Sequence, residues 1–171
     1  MRPWWRLREL FGGSRVRIGK RFSLQGRLTF RGPGTVVFGD DVTVMAHATP
    51  YTHSPDARIT IGDRALINGT RFGCEREIRI GADTDVADAR ICDTDFHPLS
   101  RRRRTDHTLE PASGPVVVED NVWIAAAVFI CQGVTVGRDA VVGVASVVRK
   151  DVPPGRLWAG NPARDIGPVP D

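Results

Sequence analysis

From Val118 onward the chain places a β-branched aliphatic residue at every sixth position: Val118, Ile124, Ile130, Val136, Val142 and Val148. Four places after each stands a further small or β-branched residue: Val122, Val128, Val134, Ala140, Ser146 and Val152. A helix repeats its apolar face every 3.6 residues and a strand every 2, so neither explains a period of six. A short extended segment, a turn and another short segment do, provided that one residue per side always points inward. Three such sides close a triangular coil of about eighteen residues, and coils stack at the strand spacing of about 4.8 Å. The predicted fold class is therefore all-β, a parallel β-helix, whose pleated inner surface suits Val and Ile.

Upstream the rule holds with slips. Ile18, Leu24, Phe30 and Val36 share the spacing, Phe38 and Val44 resume it, and Ile61 with Ile67 and Ile80 with Val86 repeat it. Each slip predicts an irregular turn or a loop thrown out of the coil, the longest being an extruded loop near 98–115. The turns read "FGDD", "IGDR", "IGAD" and "VGRD". Glycine suits a corner because it takes φ > 0, and aspartate because it bonds its own backbone. A set of ordinary β-hairpins would leave six consecutive hexads unexplained.

A length of 171 residues fits one domain with one core. The expected organisation is a capping segment over 1–14, the β-helix over 15–158 and a tail over 159–171. No apolar run is long enough to cross a bilayer. The start "MRPWWRLRELFGG" lacks the apolar stretch and cleavage site of a secretory signal, so a cytoplasmic location is expected. Its apolar positions Trp4, Leu7, Leu10 and Phe11 oppose Arg2, Arg6 and Arg8. Such a segment can rest on a membrane surface, but covering the open end of the coil, with its exposed pairing edges, is the favoured role.

Three cysteines, Cys74, Cys92 and Cys131, are an odd number at motif-free spacings and read as free thiols, with neither a disulfide framework nor a metal expected. The net charge of +4 comes largely from arginine, whose planar fork matches phosphate and carboxylate oxygens. The basic residues are not interleaved with aromatics in any nucleic-acid module, so no nucleic-acid partner is expected.

The segment "VEDNVWIAAAVFICQGVTVGRDAVVGVASVVRKDVPPGRLWAGNPARDI" resembles the C-terminal half of the hexapeptide-repeat acyltransferases, especially the sugar O-acetyltransferases that include galactoside, maltose and nodulation-factor acetyltransferases. The resemblance extends more weakly back to about Ile59. It implies a left-handed coil, an exception to the right-handed crossover rule. It also implies a homotrimer with sites between neighbouring solenoids, acetyl-CoA as acyl donor without a metal, and a small-molecule or glycan acceptor.

The stretch "ICDTDFHPLSRRRR" breaks the repeat. The resemblance implies that His97, followed by Pro98, is a general base, and imidazole suits the task because it titrates near neutrality. A carboxylate two residues earlier, Asp95, can accept the second ring N–H and fix its tautomer. Asp93 is the alternative orienting acid, placed with the acceptor-contacting residues, and both aspartates can equally serve as turn formers. Asn68, in "LINGT", corresponds to an asparagine often found in the family's acceptor pocket, although the stretch is shorter than usual and a left-handed turn residue is an almost equal reading.

Trp123 and the "WIAAA" that it opens resemble the family's Trp-Ile-Gly-x-x, which implies a substrate-binding place for Trp123 and, three places later, a backbone N–H at Ala126 that helps hold the thioester oxygen. Here Ala125 stands where glycine is usual. Val144 and Ala145 replace an Ala-Gly pair beside the pantetheine arm, with Ser146 in its usual place, and Lys150 and Arg164 match the cations that meet coenzyme A phosphates. Arg101 to Arg104 would gather an anionic acceptor, reach the coenzyme's phosphates or form a solvated face.

The reading is an acyl-CoA-dependent O-acyltransferase acting on a sugar or glycan precursor by direct attack. Three rivals are an N-acetyltransferase on an amino sugar or antibiotic, a non-catalytic β-helix, and a γ-type carbonic anhydrase. The last needs three histidines on facing coils, and His47, His53, His97 and His107 lack the close pair.

Overall fold

A computed structural model describes residues 15–170. The 1–14 capping segment lies outside the described residues. Nineteen strands and no helix are found among the described residues. They form six triangular coils of a left-handed parallel β-helix, with a seventh begun at the C-terminal end.

The first face stacks β1 (Val16–Ile18), β3 (Thr35–Phe38), β6 (Arg58–Ile61), β9 (Glu77–Ile80), β12 (Val116–Val118) and β15 (Thr135–Val136). The second stacks β2 (Ser23–Leu24), β4 (Thr43–Val44), β7 (Leu66–Asn68), β10 (Asp85–Ala87), β13 (Trp123–Ile124) and β16 (Val141–Val142). The third stacks β5 (Thr49–Thr52), β8 (Arg71–Cys74), β11 (Arg90–Cys92), β14 (Phe129–Ile130) and β17 (Val147–Val148). Every pairing within these coils is parallel and in register, such as Val86 with Ile124 and Ile124 with Val142.

The sixfold ladder is the core. All six aliphatic residues from Val118 to Val148, and the six four places on, are buried, while Ile18, Leu24 and Phe30 pack against them partly buried. Ser146, the one polar member, is sealed inside with its hydroxyl donating to Gly143 O at 2.6 Å and accepting from Gly160 N at 3.0 Å.

The corner glycines serve a different purpose from the one expected. Gly39, Gly62, Gly81 and Gly137 do not have left-handed φ; the residue two places on does, at Asp41, Arg64, Asp83 and Asp139, with φ near 60° in each. Glycine is needed because the next coil is too close: a Cβ on Gly62 would lie 2.5 Å from Ala82 N, and one on Gly81 2.4 Å from the Glu119 carbonyl carbon. The aspartates likewise bond the adjacent coil rather than themselves, Asp63 accepting from Asp40 N and Asp120 from Ala82 N, at 2.8 and 2.9 Å.

The C-terminal boundary also differs. β18 (Arg156–Gly160) joins the second face beside β16, and β19 (Ala163–Pro168) turns back antiparallel on it. A division at 158 and 159 would cut through β18. The tail is a hairpin that continues the second sheet.

Candidate active site

Coil spacing locates the site. Neighbouring coils place Asn121 and Asp139 18 residues apart, whereas Ala82 and Asp120, also on neighbouring coils, are 38 apart. The excess is the loop between β11 and β12, which leaves the coil earlier than expected, at Asp93. Its neck is a short antiparallel ladder: Gly114 N donates to Asp93 O and Asp95 N to Ala112 O, both at 2.9 Å, with Thr94 bridged to Ser113.

Asp93 is fully buried and accepts the backbone N–H groups of Glu75, Arg76 and Glu77 at 2.6, 2.7 and 2.8 Å. This corrects its expected place among acceptor-contacting residues. Both oxygens are taken by the coil beneath, so neither an acceptor nor the His97 ring can use them. Asp95 is exposed and stays available to orient His97.

Beyond the neck, Phe96 adopts φ 61° and folds back over Gly73, where an added Cβ would fall 2.7 Å from its ring. Its edge meets the His53 ring at 5.0 Å, and His53 in turn lies 4.1 Å from Tyr51. His97 is thus held beside a packed aromatic residue while exposed itself, followed by Leu99 at 93% exposure. Arg101 to Arg104 are exposed in a run of turns, with Arg102 paired to Asp106 at 3.2 Å.

The corner between the second and third faces carries the other expected residues. Asn68 ends β7 half-buried, and its carbonyl accepts Asp88 N; the left-handed residue there is Gly69. Further along, Ala127 N donates to Asp88 O at 3.2 Å and Ala145 N to Ala126 O at 2.9 Å. Both alanines have left-handed φ, 59° and 57°, a conformation that costs an L-residue about 1–2 kcal/mol. Ala126 is exposed, and its N–H has no hydrogen-bond partner among the described residues. Trp123, on the second face, is 55% exposed and Val144 67%, whereas Ser146 points inward and cannot meet a ligand. Lys150 and Arg164 are exposed at the C-terminal end, outside any ion pair among the described residues.

The third face lies between the corner that carries Ala126 and the neck from which the His97 loop departs, a strand of four residues such as β8 spanning about 13 Å. Between the two corners the face is hollowed into a cavity of about 840 Å³ lined by His47, Tyr51, His53, Arg71, Arg90 and Phe96 among others. Sequence reasoning missed this set, since these side chains lie on the outward positions that the inward repeat leaves unconstrained.

The cysteines are poor nucleophiles. Burial, with the Asp93 carboxylate adding to it, pushes the Cys92 thiol up to about 11, and burial also raises Cys74 and Cys131. Among the described residues no three His, Cys, Asp or Glu side chains cluster as metal ligands.

A left-handed coil of sixfold aliphatic ladders with an ejected loop defines a hexapeptide-repeat solenoid. No family model matches the chain. It is 35% identical over 159 residues to the galactoside O-acetyltransferase of Escherichia coli, covering 93% of this chain and 57% of that one. The hexapeptide-repeat-containing acetyltransferase of Vibrio cholerae is 30% identical, with 96% of this chain and 77% of that one covered at a TM-score of 0.52. The N-acyltransferase AntD of Bacillus cereus, solved with dTDP-4-amino-4,6-dideoxyglucose and coenzyme A, shares the fold at a TM-score of 0.80 and 19% identity, over 99% and 90% of the two chains. The chain belongs to the hexapeptide-repeat acetyltransferases. It spans between 34% and 57% of the length of the first curated relatives it matches.

Proposed function

We propose that the protein transfers an acetyl group from acetyl-CoA to a hydroxyl of a sugar or glycan precursor. The observation that carries this reading is exposed Ala126, whose N–H has no hydrogen-bond partner among the described residues, in a corner flanked by exposed Trp123 and Val144. An unpaired backbone donor in a fixed corner costs no reorganisation when an oxyanion forms on it.

His97 takes the acceptor hydroxyl proton as the oxygen attacks the thioester carbon. The C–O bond forms, negative charge moves to the carbonyl oxygen at the Ala126 N–H, and the C–S bond then breaks. The sulfur leaves with the proton returned from the imidazolium, giving ester and free coenzyme A thiol. Asp95 stabilises the imidazolium. Lys150 and Arg164 bind the coenzyme's phosphates, beyond Val144 and Ala145. The neck of the His97 loop and the corner carrying Ala126 stand at opposite ends of the third face, which supports a homotrimer in which the base of one copy serves the donor corner of another.

The test is thiol release from acetyl-CoA with hydroxyl- and amino-bearing sugars. His97→Ala should lower transfer by about 10²–10⁴-fold, the range of general-base contributions. Unchanged turnover in that variant would overturn the role of the base, and transfer to amines alone would replace O- by N-acetylation.

A further inference from the structure

The third-face cavity suggests what kind of acceptor fits. β8 and β11 place Arg71 directly opposite Arg90 in register, two like charges at the strand spacing of about 4.8 Å. Like charges in that position repel, and neither arginine is in an ion pair among the described residues. Two more arginines, Arg27 and Arg31, line the same cavity from the first coil, also without an ion pair among the described residues. No Asp or Glu among the described residues lines it; Asp88 lines only a smaller adjoining cavity, shared with Arg71 and Arg90. His53 also lines the cavity, its ring held between Tyr51 and Phe96; its Nε2 is buried, without a hydrogen-bond partner among the described residues.

These cations stand apart from those expected at the coenzyme. Lys150 and Arg164 follow the sixth coil, whereas Arg27 and Arg31 belong to the first and Arg71 and Arg90 to the third and fourth, about two to five coil spacings or ~10–24 Å away. Arg71 and Arg90 share the larger cavity with Phe96, the residue before His97, and the smaller one with Ala127.

Resting on the function proposed above, we infer that the acceptor is an anionic saccharide. Its phosphate or carboxylate is gripped by the in-register pair Arg71 and Arg90, and its ring lies on Tyr51. Arginine forks pair with both kinds of anion. The exposed Arg101 to Arg104 run, the place where the sequence alone would put such a grip, is not part of this cavity.

The test is calorimetric binding without coenzyme A, so that it stands apart from turnover. Three probes are used: a nucleoside-diphosphate glucose, a glucuronate-containing disaccharide and a neutral disaccharide of similar size. At least one charged probe should bind about tenfold or more tighter than the neutral one, with affinity falling as salt rises. Binding of the first alone assigns a phosphate anion, and of the second alone a carboxylate. Arg71→Gln and Arg90→Gln should each weaken that binding about tenfold. Equal binding of the neutral probe, binding of neither charged probe, charged-probe affinity untouched by both arginine variants, or loss of coenzyme A affinity in those variants would each overturn the inference. If His97→Ala abolishes turnover while the arginine variants bind normally, the function stands and the acceptor class falls.

Discussion

Three successive backbone N–H groups of the fourth coil's opening corner converge on Asp93, and the same residue begins the loop that carries His97. An unsatisfied buried donor costs about 1–3 kcal/mol, and this corner is only partly buried. Asp93→Ala is therefore expected to destabilise the fold by about 2–4 kcal/mol, read from the midpoint of urea unfolding, while the folded fraction keeps its thioester turnover. A direct acceptor contact would predict the reverse, intact stability with a raised KM. The Cys92 thiol makes a second claim. With its pKa raised to about 11, the neutral form dominates at physiological pH. Alkylation should be slow at neutral pH and accelerate toward about pH 11, and Cys92→Ser should retain transfer. Rapid neutral labelling would show a thiolate that the burial does not permit.

Each corner of the coil has its own chemistry. The first-to-second-face corner stacks left-handed residues in alternating charge, Arg21 on Asp41 and Arg64 on Asp83. Hydrogen bonds from Arg21 and Arg64 hold Asp41 and Asp83 below the ordinary carboxyl value of 3.8. A carboxyl with a depressed folded pKa contributes stability above its unfolded value and loses it as pH falls through the folded one. Wild type should thus exceed Arg64→Gln in stability near neutrality, and the gap should close below about pH 4. Both groups are exposed, so the gap is small and shrinks with salt. Packing sets the glycine corners: Gly81→Ala puts a methyl into the Glu119 backbone and should cost about 1–3 kcal/mol, seen as a lower Tm. On the third face, Arg71→Gln should raise stability by about 0.2–1 kcal/mol by relieving the pair with Arg90.

The regular part of the molecule is legible in the order of its residues. Val118 to Val148 read as a coil because burial on three sides demands a small β-branched residue at each step. The corner glycines stand out in the chain for the wrong reason, since the chain shows that Gly81 is glycine without showing that the next coil lies against it. Asp93 is misplaced by sequence reasoning because its three partners lie 16 to 18 residues upstream, one full coil away, and become neighbours only after stacking. Arg71 and Arg90 are invisible for a related reason: upstream coils vary in length, so their register cannot be counted from sequence. His97 and Ala126 are singled out in the chain one at a time, and the places of their loop neck and corner at opposite ends of the third face are not legible there. That placement yields a whole-molecule prediction. His97→Ala and Val144→Trp, the latter filling the coenzyme side of the corner, should each be inactive alone. Refolded together they should recover part of the wild-type turnover, through assemblies that pair an intact base with an intact corner. No recovery would place both groups in one subunit.

The neck at residues 93–95 and 112–114 closes the loop onto itself before the coil resumes at Val116. Because those bonds fix where the chain leaves and re-enters, the length and composition of what lies between them are uncoupled from the stacking above and below. The loop is in effect a socketed cassette. The residues beyond His97 can be exchanged to bring a different surface to it, while the six coils and the Ala126 corner keep their register.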